Sequence, residues 1–217
     1  LVGSEMCIRD SRSAEESVLN AHFTQPVIIK SMYQVLENMG FNKGRILEPS
    51  CGVGNFFGLV PQSMSNSTLY GVELDRMSAK IAGYLYPEAN IQNIGFERTN
   101  YPDGYFDVAI GNVPFGDYRV NDSVYNSHGF LIHDYFFAKT LDKLRAGGVA
   151  AYITTKGTMD KESTKVREFL FKKAELLGAI RLPNTAFKNA GTKVTADILF
   201  LQKREKEIEN PEWIAVT

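Results

Sequence analysis

The sequence has few cysteines and no long apolar run. Two cysteines occur in 217 residues, Cys7 and Cys51. Cys7 lies in an N-terminal stretch that we interpret below as foreign, which leaves Cys51 alone and excludes an internal disulfide. No stretch approaches the roughly 18 uninterrupted apolar residues that suggest a membrane-spanning helix. We therefore expect a protein of the reducing cytoplasm with no membrane segment.

The sequence also lacks an excess of charge of either sign. It contains 24 lysines and arginines against 25 aspartates and glutamates, for a formal net charge of −1. A strongly basic patch is the usual electrostatic sign of a nucleic-acid partner. A neutral total neither demands nor excludes such a partner. Internal repeats and low-complexity tracts are absent as well.

The first ten residues, LVGSEMCIRD, have neither the apolar centre of a signal peptide nor the periodicity of a helix. With suitable codons, the back-translation of these residues and of the start of the next codon is identical to a common transposon-type sequencing adapter. We interpret residues 1–10 as translated adapter and exclude them from functional reasoning. The remaining chain is expected to form one catalytic domain over residues 11–204. Residues 205–217 would be a connector to a missing C-terminal region.

Apolar runs bounded by turn residues alternate with helical periodicity, which is typical of a doubly wound α/β sheet. The predicted strands are Arg45–Pro49, Thr68–Glu73, Asn90–Gly95, Phe106–Asn112, Val149–Thr155, Leu177–Leu182 and Ala196–Gln202. The predicted helices are Pro26–Met39, Asn55–Leu59, Asp75–Tyr86, His133–Leu144 and Glu162–Ala174. The last two strands follow each other without a helix, which predicts an antiparallel pair at one edge of a mostly parallel sheet of about seven strands. This arrangement favours the Rossmann-like fold of class I methyltransferases over a dehydrogenase fold.

Two acids and a glycine turn indicate a ligand site at the ends of the first two strands. The segment ILEPSCGVGNFFG places Glu48 and Pro49 at a strand end, followed by Gly52 and Gly54 before a predicted helix. Glycines allow a tight turn and a close backbone approach to a ligand, and a helix N-terminus offers free amide groups. Glu73 ends the second strand, where doubly wound folds often use an acid to bind ribose hydroxyls.

In order along the chain, FTQP, LEPSCGVGNF, GVELD and GNVPFG resemble the motifs of adenine-specific (N6) DNA methyltransferases. The resemblance continues through HDYFFAKTLDKLRAGGVAAYITTKG and AIRLPNTAFKNAGTKVTADILFLQK, so that it covers nearly everything from Ala21 to Lys203. Within the family, GNVPFGDY is most similar to enzymes fused to helicases in mobile elements and phages. The resemblance implies a bacterial, phage or mobile-element enzyme that uses S-adenosylmethionine.

The resemblance also implies roles for the cofactor-side residues. Thr24 would contact the methionine end of the cofactor, while Glu48, Pro49 and the glycine turn would hold its amino and sugar groups. The family's third motif usually has an aspartate that binds the cofactor's adenine, followed by a phenylalanine that packs on the adenine face. Phe96 matches the phenylalanine, but Gly95 stands in place of the acid. Glu97, Asn93, a backbone carbonyl or a water would have to substitute.

The catalytic loop of the family reads Asn-Pro-Pro-aromatic, and here it is Asn112, Val113, Pro114 and Phe115. Methyl transfer to an exocyclic amine is aided by acceptors for the two amine protons. The family uses the asparagine side chain and the main-chain carbonyl of the next residue, which does not depend on side-chain identity. Pro114 and β-branching restrain Val113, so we expect Val113→Pro to be tolerated. No metal is predicted, because the neutral amine is itself the nucleophile.

Three functions remain open from the sequence. The first is methylation of a flipped adenine in DNA, with target-recognition or helicase domains supplied elsewhere in the chain or by a partner subunit. The second keeps the chemistry but uses RNA or a protein glutamine as acceptor. The third is a methyltransferase-like domain that binds cofactor or DNA without turnover, which the departures at Gly95 and Val113 motivate.

Overall fold

The computed structural model describes residues 24–187 and 195–215 of the chain. Its seven strands are β1 Arg45–Glu48, β2 Thr68–Val72, β3 Asn90–Gln92, β4 Phe106–Asn112, β5 Leu144–Thr155, β6 Ala174–Arg181 and β7 Ala196–Lys203. Its five α-helices are α1 Pro26–Asn38, α2 Arg76–Leu85, α3 Ile132–Lys143, α4 Gly157–Asp160 and α5 Lys165–Lys173. Within these ranges no helix is long and apolar enough to cross a membrane.

The strands form one sheet in the order β3-β2-β1-β4-β5-β7-β6. Strands β1 to β5 pair in parallel, and β7 runs antiparallel to both of its neighbours. The antiparallel pair of the last two strands is therefore confirmed. Strand β7 is inserted between β5 and β6, so that β6 forms the edge. Parallel strands end at the same side of a sheet, and ligands of such folds bind there.

Alternate residues of the central strands face two separate cores. Leu47, Ala109 and Tyr152 belong to a cluster that includes α3 and α5 residues. Ile46 and Val108, one position earlier on β1 and β4, belong to the cluster that includes α1. This period of two follows from the alternation of side chains along a strand, and it makes the central strands apolar on both faces. Helices on both faces therefore hold the carboxyl ends of β1 and β4 in fixed positions.

One predicted helix is wrong. Asn55–Leu59 was expected to be a helix after the glycine turn, but the structure has only a short 3₁₀ turn there, Phe57–Leu59. Strand β3 also ends at Gln92 rather than Gly95. Most other predicted ends lie within about three residues of the observed ones. The largest remaining difference is β5, which begins at Leu144 rather than at Val149.

Candidate active site

Apart from Thr24, which precedes α1, the predicted site residues lie at or just after the ends of β1, β2, β3 and β4, at the carboxyl edge of the sheet. Glu48 is the last residue of β1, and Asn112 is the last residue of β4. These two strands are hydrogen-bonded neighbours. The topology therefore brings the predicted cofactor residues and the predicted catalytic loop together.

Glu48 is a buried carboxylate with an unfilled hydrogen-bonding position. Its side chain is 2% exposed, and its Oε2 atom has no hydrogen-bond partner among the described residues. Burial raises the pKa of Glu48 well above its usual range, and the charge of nearby Glu73 raises that pKa further. Gly111 on β4 gives this side chain room, since a Cβ there would lie 3.3 Å from Glu48 Cγ. A cation placed against Glu48 would offset the cost of burying its charge.

The glycine turn after Pro49, itself buried, takes backbone conformations that favour glycine. Gly52 has a φ of +54° and Gly54 a φ of +86°. A Cβ on Gly54 would lie 2.5 Å from the ring of Tyr86, whereas a Cβ on Gly52 would meet nothing within 4 Å. The space beside Gly52 is thus open. Without the predicted helix, no α-helix N-terminus stands behind this turn. It is held by backbone hydrogen bonds from Cys51 N–H to Val72 at 2.9 Å and from Gly54 N–H to Cys51 at 2.8 Å, together with side-chain contacts.

Glu73 holds the glycine turn in place. Its Oε2 accepts a hydrogen bond from the backbone N–H of Gly52 at 2.8 Å, and its Oε1 accepts one from Asp75 N–H at 2.7 Å. Burial raises the pKa of Glu73, and these backbone hydrogen bonds oppose that rise. Each carboxylate oxygen can accept a second hydrogen bond, so ribose binding by Glu73 stays a prediction. Asp75 caps α2 by accepting from Ser78 N–H at 2.8 Å.

Gly95 and Glu97 lie side by side in the turn after β3. A Cβ on Gly95 would overlap the carboxylate of Glu97. The acid of residue 97 therefore occupies the place where the side chain of residue 95 would begin. Asn93 is used otherwise, because its Nδ2 donates to the backbone carbonyls of Glu73 and Leu74 at 2.9 and 3.0 Å. Of the two side chains that could replace the missing acid, the geometry favours Glu97.

Phe96 lies in the core. Its side chain is 2% exposed and its ring centroid lies 5.2 Å from that of Phe136. The Lys139 ammonium lies 5.3 Å from the ring centroid, within the range of a cation–π contact. Packing of Phe96 on the cofactor's adenine stays a prediction, and little of the ring is accessible for it.

Asn112 is joined to both the N-terminal segment and the glycine turn. Its Nδ2 donates to Thr24 Oγ1 at 3.2 Å, and its backbone carbonyl accepts from Ser50 Oγ at 3.0 Å. Thr24 is 7% exposed. Because Nδ2 points to Thr24, the side-chain oxygen lies on the opposite branch of the amide. Sequence reasoning did not identify Ser50 as a site residue. Its position in the glycine turn was the only feature of the sequence that could have indicated it.

Val113 is part of both the core and the sheet. Its side chain is 1% exposed, and its N–H donates to the carbonyl of Ile153 on β5 at 3.1 Å. A proline has no N–H and would break this bond. We therefore expect Val113→Pro to lower the stability of the fold, although the substitution was predicted from the sequence to be tolerated. Pro114 and Phe115 are only partly buried, and Phe115 packs against both core clusters.

Residues 116–131 link the catalytic loop to α3 and are anchored to that helix. Asp122 Oδ2 accepts hydrogen bonds from Tyr135 Oη at 2.8 Å and from Lys139 Nζ at 3.0 Å. Tyr125 Oη donates to Asp142 Oδ2 at 2.7 Å. We name residues 116–131 the docked loop. The polar sequence of this segment, with its interleaved aromatic residues, is compatible with two interpretations. It could close over the substrate or contact phosphates through Arg119, or it could be a flexible surface loop, and the anchoring contacts argue against the second.

Part of the docked loop stays open to solvent near the catalytic residues. Tyr118 is 54% exposed, and its ring covers Gly116, where a Cβ would lie 2.5 Å from Tyr118 Cε1. Arg119 is exposed as well. These side chains are available to a large substrate that approaches the carboxyl edge of the sheet.

The basic cluster after β5 is used largely for structure. Arg167 is 1% exposed and donates to the carbonyls of Ile214 and Met159. Lys173 donates to Asp142 at 2.7 Å. Lys161 pairs with the buried Asp134. The sequence pattern predicts a solvated helix face rather than a DNA track for the basic cluster of Lys156, Lys161, Lys165, Arg167, Lys172 and Lys173. The burial of Arg167 shows that this face is only partly solvated.

The fold is that of the class I methyltransferases. A class I S-adenosylmethionine-dependent methyltransferase from Listeria monocytogenes has a TM-score of 0.71 and 21% sequence identity, over 89% of this chain and 64% of its own. The modification subunit of a type I restriction enzyme from Vibrio vulnificus YJ016 has a TM-score of 0.72 and 20% identity, over 96% of this chain and 48% of its own. At these identities the likeness shows the fold alone.

The family follows from the sequence comparisons. The model of the N-6 DNA methylase family matches residues 5–215, and the chain belongs to this family. "Defense against restriction protein B" of Escherichia phage P1 is 30% identical over 196 residues, which are 88% of this chain and 8% of that protein. "Modification methylase CviBIII" of Paramecium bursaria Chlorella virus NC1A is 24% identical over 136 residues, 60% of this chain and 36% of that protein. The chain thus spans a small part of the curated relatives it matches.

The residues present fit S-adenosylmethionine, the cofactor of this family and fold. Glu48 offers a buried acceptor without a partner for the cationic amino group. Open space beside Gly52 leaves room for the ligand, and Glu73 has remaining acceptor capacity for ribose. Glu97 presents an acid beside Gly95 for the adenine amino group. When bound, the cofactor supplies an electrophilic methyl group on its sulfonium.

Proposed function

We propose that the chain is the catalytic domain of a DNA methyltransferase that modifies the exocyclic N6 amino group of adenine. The observation that carries this proposal is the position of the loop from Asn112 to Phe115. It leaves β4 directly beside the buried Glu48 of β1 and is tied to the glycine turn through Ser50 and to Thr24. A base amine held by this loop would lie next to the predicted methionine end of the cofactor.

Asn112 and Val113 supply the acceptors that the reaction needs. The lone pair of the exocyclic amine is conjugated into the adenine ring, which makes it a poor nucleophile. The Asn112 side-chain oxygen and the Val113 carbonyl would accept hydrogen bonds from the two amine protons. These bonds favour a pyramidal nitrogen and stabilise the positive charge that develops as the new bond forms. The hydrogen bond from Asn112 Nδ2 to Thr24 orients the amide for this task.

Valine at position 113 is compatible with this role. The catalytic contribution at this position is a carbonyl, which valine retains. The N–H of Val113 also extends the pairing of β4 with β5 through Ile153. Burial of the side chain fixes the residue from the other side. Packing and sheet pairing thus replace the rigidity that a proline ring would provide.

Phe115 provides the surface for the target base. Stacking of an aromatic side chain on a base contributes about 1–3 kcal/mol, and the ring face also favours transient positive charge on the amine. A base inside a duplex must first be flipped out, at a cost of a few kcal/mol. Tyr118 and Arg119 lie on the exposed part of the docked loop and are positioned to contact the nucleic acid around the flipped base.

Recognition of a DNA sequence would come from outside this chain. The type I modification subunit has a structure about twice as long as the region matched here. The phage P1 protein is many times longer. We propose that target recognition is supplied by other domains of the full protein or by a partner subunit. A fused helicase, as in the mobile-element and phage enzymes that GNVPFGDY resembles, is part of the same proposal.

The acceptor can be identified directly. The full-length protein, with any partner subunit it requires, is incubated with S-adenosylmethionine carrying a labelled methyl group and with unmodified DNA, RNA or a release-factor-like protein. We expect label in DNA, recovered after digestion as N6-methyladenine, and a rate of labelling about 10²–10³-fold lower with the Asn112→Ala variant. Label only in RNA or protein would contradict the DNA proposal and select the second function. Cofactor binding without any transfer would select the non-catalytic domain.

A further inference from the structure

The side chain of Lys139 connects two parts of the site that are far apart in the sequence. Its ammonium donates to the backbone carbonyl of Glu97 at 3.1 Å and to Asp122 Oδ2 at 3.0 Å. Glu97 belongs to the turn after β3 on the cofactor side, and Asp122 belongs to the docked loop on the substrate side. Lys139 itself projects from α3 and is 4% exposed.

The junction at Lys139 is well satisfied by hydrogen bonds. Asp122 accepts from Lys139, from Tyr135 Oη and, through Oδ1, from Val124 N–H at 3.1 Å. Burial alone would raise the pKa of Asp122, but the hydrogen bonds outweigh it and leave that pKa below its usual range. Burial lowers the pKa of Lys139, and Asp122 opposes that shift. Removing one member of such a buried pair leaves an uncompensated charge.

The cofactor-side end of this junction is the segment that the adenine would contact. Lys139 binds the carbonyl of the same residue whose carboxylate fills the place beside Gly95. It also lies over the ring of Phe96, which precedes Glu97. A ligand bound by the Glu97 carboxylate would therefore contact the same residue whose backbone carbonyl accepts from Lys139.

Asp122, at the substrate-side end of the junction, forms several hydrogen bonds within the docked loop. The backbone carbonyl of Asp122 accepts from the N–H groups of Tyr125 and Asn126, both at 2.9 Å. Asp122 N–H donates to the side chain of Asn126 at 3.0 Å. Asp122 thus closes a turn of the docked loop and at the same time receives Lys139. The position of the Lys139 ammonium fixes where this turn sits on α3.

We propose that Lys139 is a positioning residue that transmits occupancy of the cofactor's adenine side to the docked loop. Cofactor binding would order the Glu97 turn, and through Lys139 and Asp122 it would hold the docked loop ready for substrate. Coupling of this kind requires an element whose equilibrium both sites bias. That the docked loop meets the substrate rests on the proposed function, whereas the coupling itself needs no DNA.

The test is hydrogen exchange of the docked loop without DNA. In the wild-type protein, saturating S-adenosylmethionine is expected to slow exchange of backbone amides in residues 117–131 by at least about 5-fold, the lower range of typical allosteric coupling. The variant Asp122→Asn/Lys139→Met removes both charges together and keeps a side-chain oxygen at position 122 that can accept from Val124 N–H. We expect it to bind the cofactor while its loop exchange no longer responds.

A matched control separates coupling from simple loosening of the loop. Tyr125→Phe removes the hydrogen bond to Asp142, another anchor of the docked loop on α3 that does not reach Glu97. This control is expected to exchange faster in the free state but to be slowed by the cofactor by the wild-type factor. A double variant that keeps the wild-type slowing would overturn the proposal, as would a wild-type loop that does not respond.

A second measurement needs no variant. Adenosine and methionine are added separately to the wild-type protein at saturating concentration. Adenosine alone is expected to slow exchange of the docked loop, and methionine alone is not. Equal slowing by methionine, or no slowing by either, would contradict transmission through the adenine side. Because no DNA is present, these results do not depend on whether the acceptor is DNA.

Discussion

Glu48 on the cofactor side and Asp122 on the substrate side are both buried carboxylates, yet their surroundings differ. Glu48 has an oxygen without a partner among the described residues, and burial raises its pKa. Asp122 receives Lys139, Tyr135 and a backbone N–H, and its pKa is lowered. The protein supplies the cation for Asp122 and leaves the cation for Glu48 to a ligand. In the proposed function the cofactor would supply the missing partner of Glu48, whereas the charge of Asp122 is already paired without a ligand.

The largest effect on activity is expected for a substitution of Asn112, which lies between the cofactor side and the substrate side. Asn112→Ala removes one of the two acceptors for the amine protons, and loss of one such preorganised group typically lowers kcat by about 10²–10³-fold. Cofactor affinity should change little, because the predicted cofactor contacts lie on β1 to β3. Steady-state methylation and equilibrium binding of S-adenosylmethionine measure the two quantities. Turnover near the wild-type value would refute the assigned mechanism.

Glu48→Gln should weaken cofactor binding and stabilise the free protein. Loss of the charged acceptor is expected to raise the Kd for S-adenosylmethionine at least about 10-fold, the value of a charge-assisted hydrogen bond. Since burial raises the pKa of Glu48, the free energy of unfolding of the free protein falls as pH rises from the usual glutamate range towards the raised pKa. The neutral glutamine avoids this loss.

Melting temperatures of the cofactor-free protein check the second half of that prediction. We expect the Glu48→Gln variant to melt at least about 2 °C above the wild type at pH 8. The difference should disappear near pH 4, where the glutamate is protonated in both states. Glu88→Gln, at an exposed position, is the matched control. A Glu48→Gln variant that melts lower at pH 8 would show that Glu48 is already paired in the free protein.

Glu97 offers a smaller and more specific test of the cofactor side. Glu97→Ala is expected to reduce affinity for S-adenosylmethionine by about 10-fold, the value of one hydrogen bond to a charged group. The affinity for an analogue with inosine in place of adenosine, which lacks the amino group, should not change. Calorimetric binding of both ligands gives the comparison.

Moving the acid from position 97 to position 95 provides a control for the Glu97→Ala variant. A side chain at position 95 would displace the flexible carboxylate end of Glu97, so the acid is moved to position 95 cleanly only when Glu97 is removed as well. The double variant Gly95→Asp/Glu97→Ala should regain the preference for adenosine. If both ligands lose affinity equally in Glu97→Ala, the residue does not bind the amino group.

The smallest effect on activity is expected on the substrate side. Val113→Pro removes the hydrogen bond to Ile153 and should lower the free energy of unfolding by about 1–3 kcal/mol. Methylation per folded molecule should persist, because the carbonyl is retained. Val113→Ile keeps the N–H and serves as the control in denaturant titrations. A loss of activity without a loss of stability would show that the carbonyl is aimed differently.

Local patterns in the sequence were sufficient for most of the fold. The alternation of apolar runs with helical segments located the seven strands, because strand and helix periodicities are properties of neighbouring residues. The short segment after Gly54 was the exception. Asn55–Leu59 is too short to form a stable helix without packing that requires one, and the structure uses a 3₁₀ turn.

The sequence by itself determined the order of the motifs, the glycine turn and the residues of the catalytic loop. Only the tertiary structure decided that Glu97 rather than Asn93 stands beside Gly95, and that Lys139 joins Glu97 to Asp122. The sequence also could not show that Val113 N–H extends the sheet to Ile153. These contacts join residues that are distant along the chain, or depend on how side chains compete for one space. They form only when the sheet brings the ends of β3, β4 and β5 to one edge beside α3.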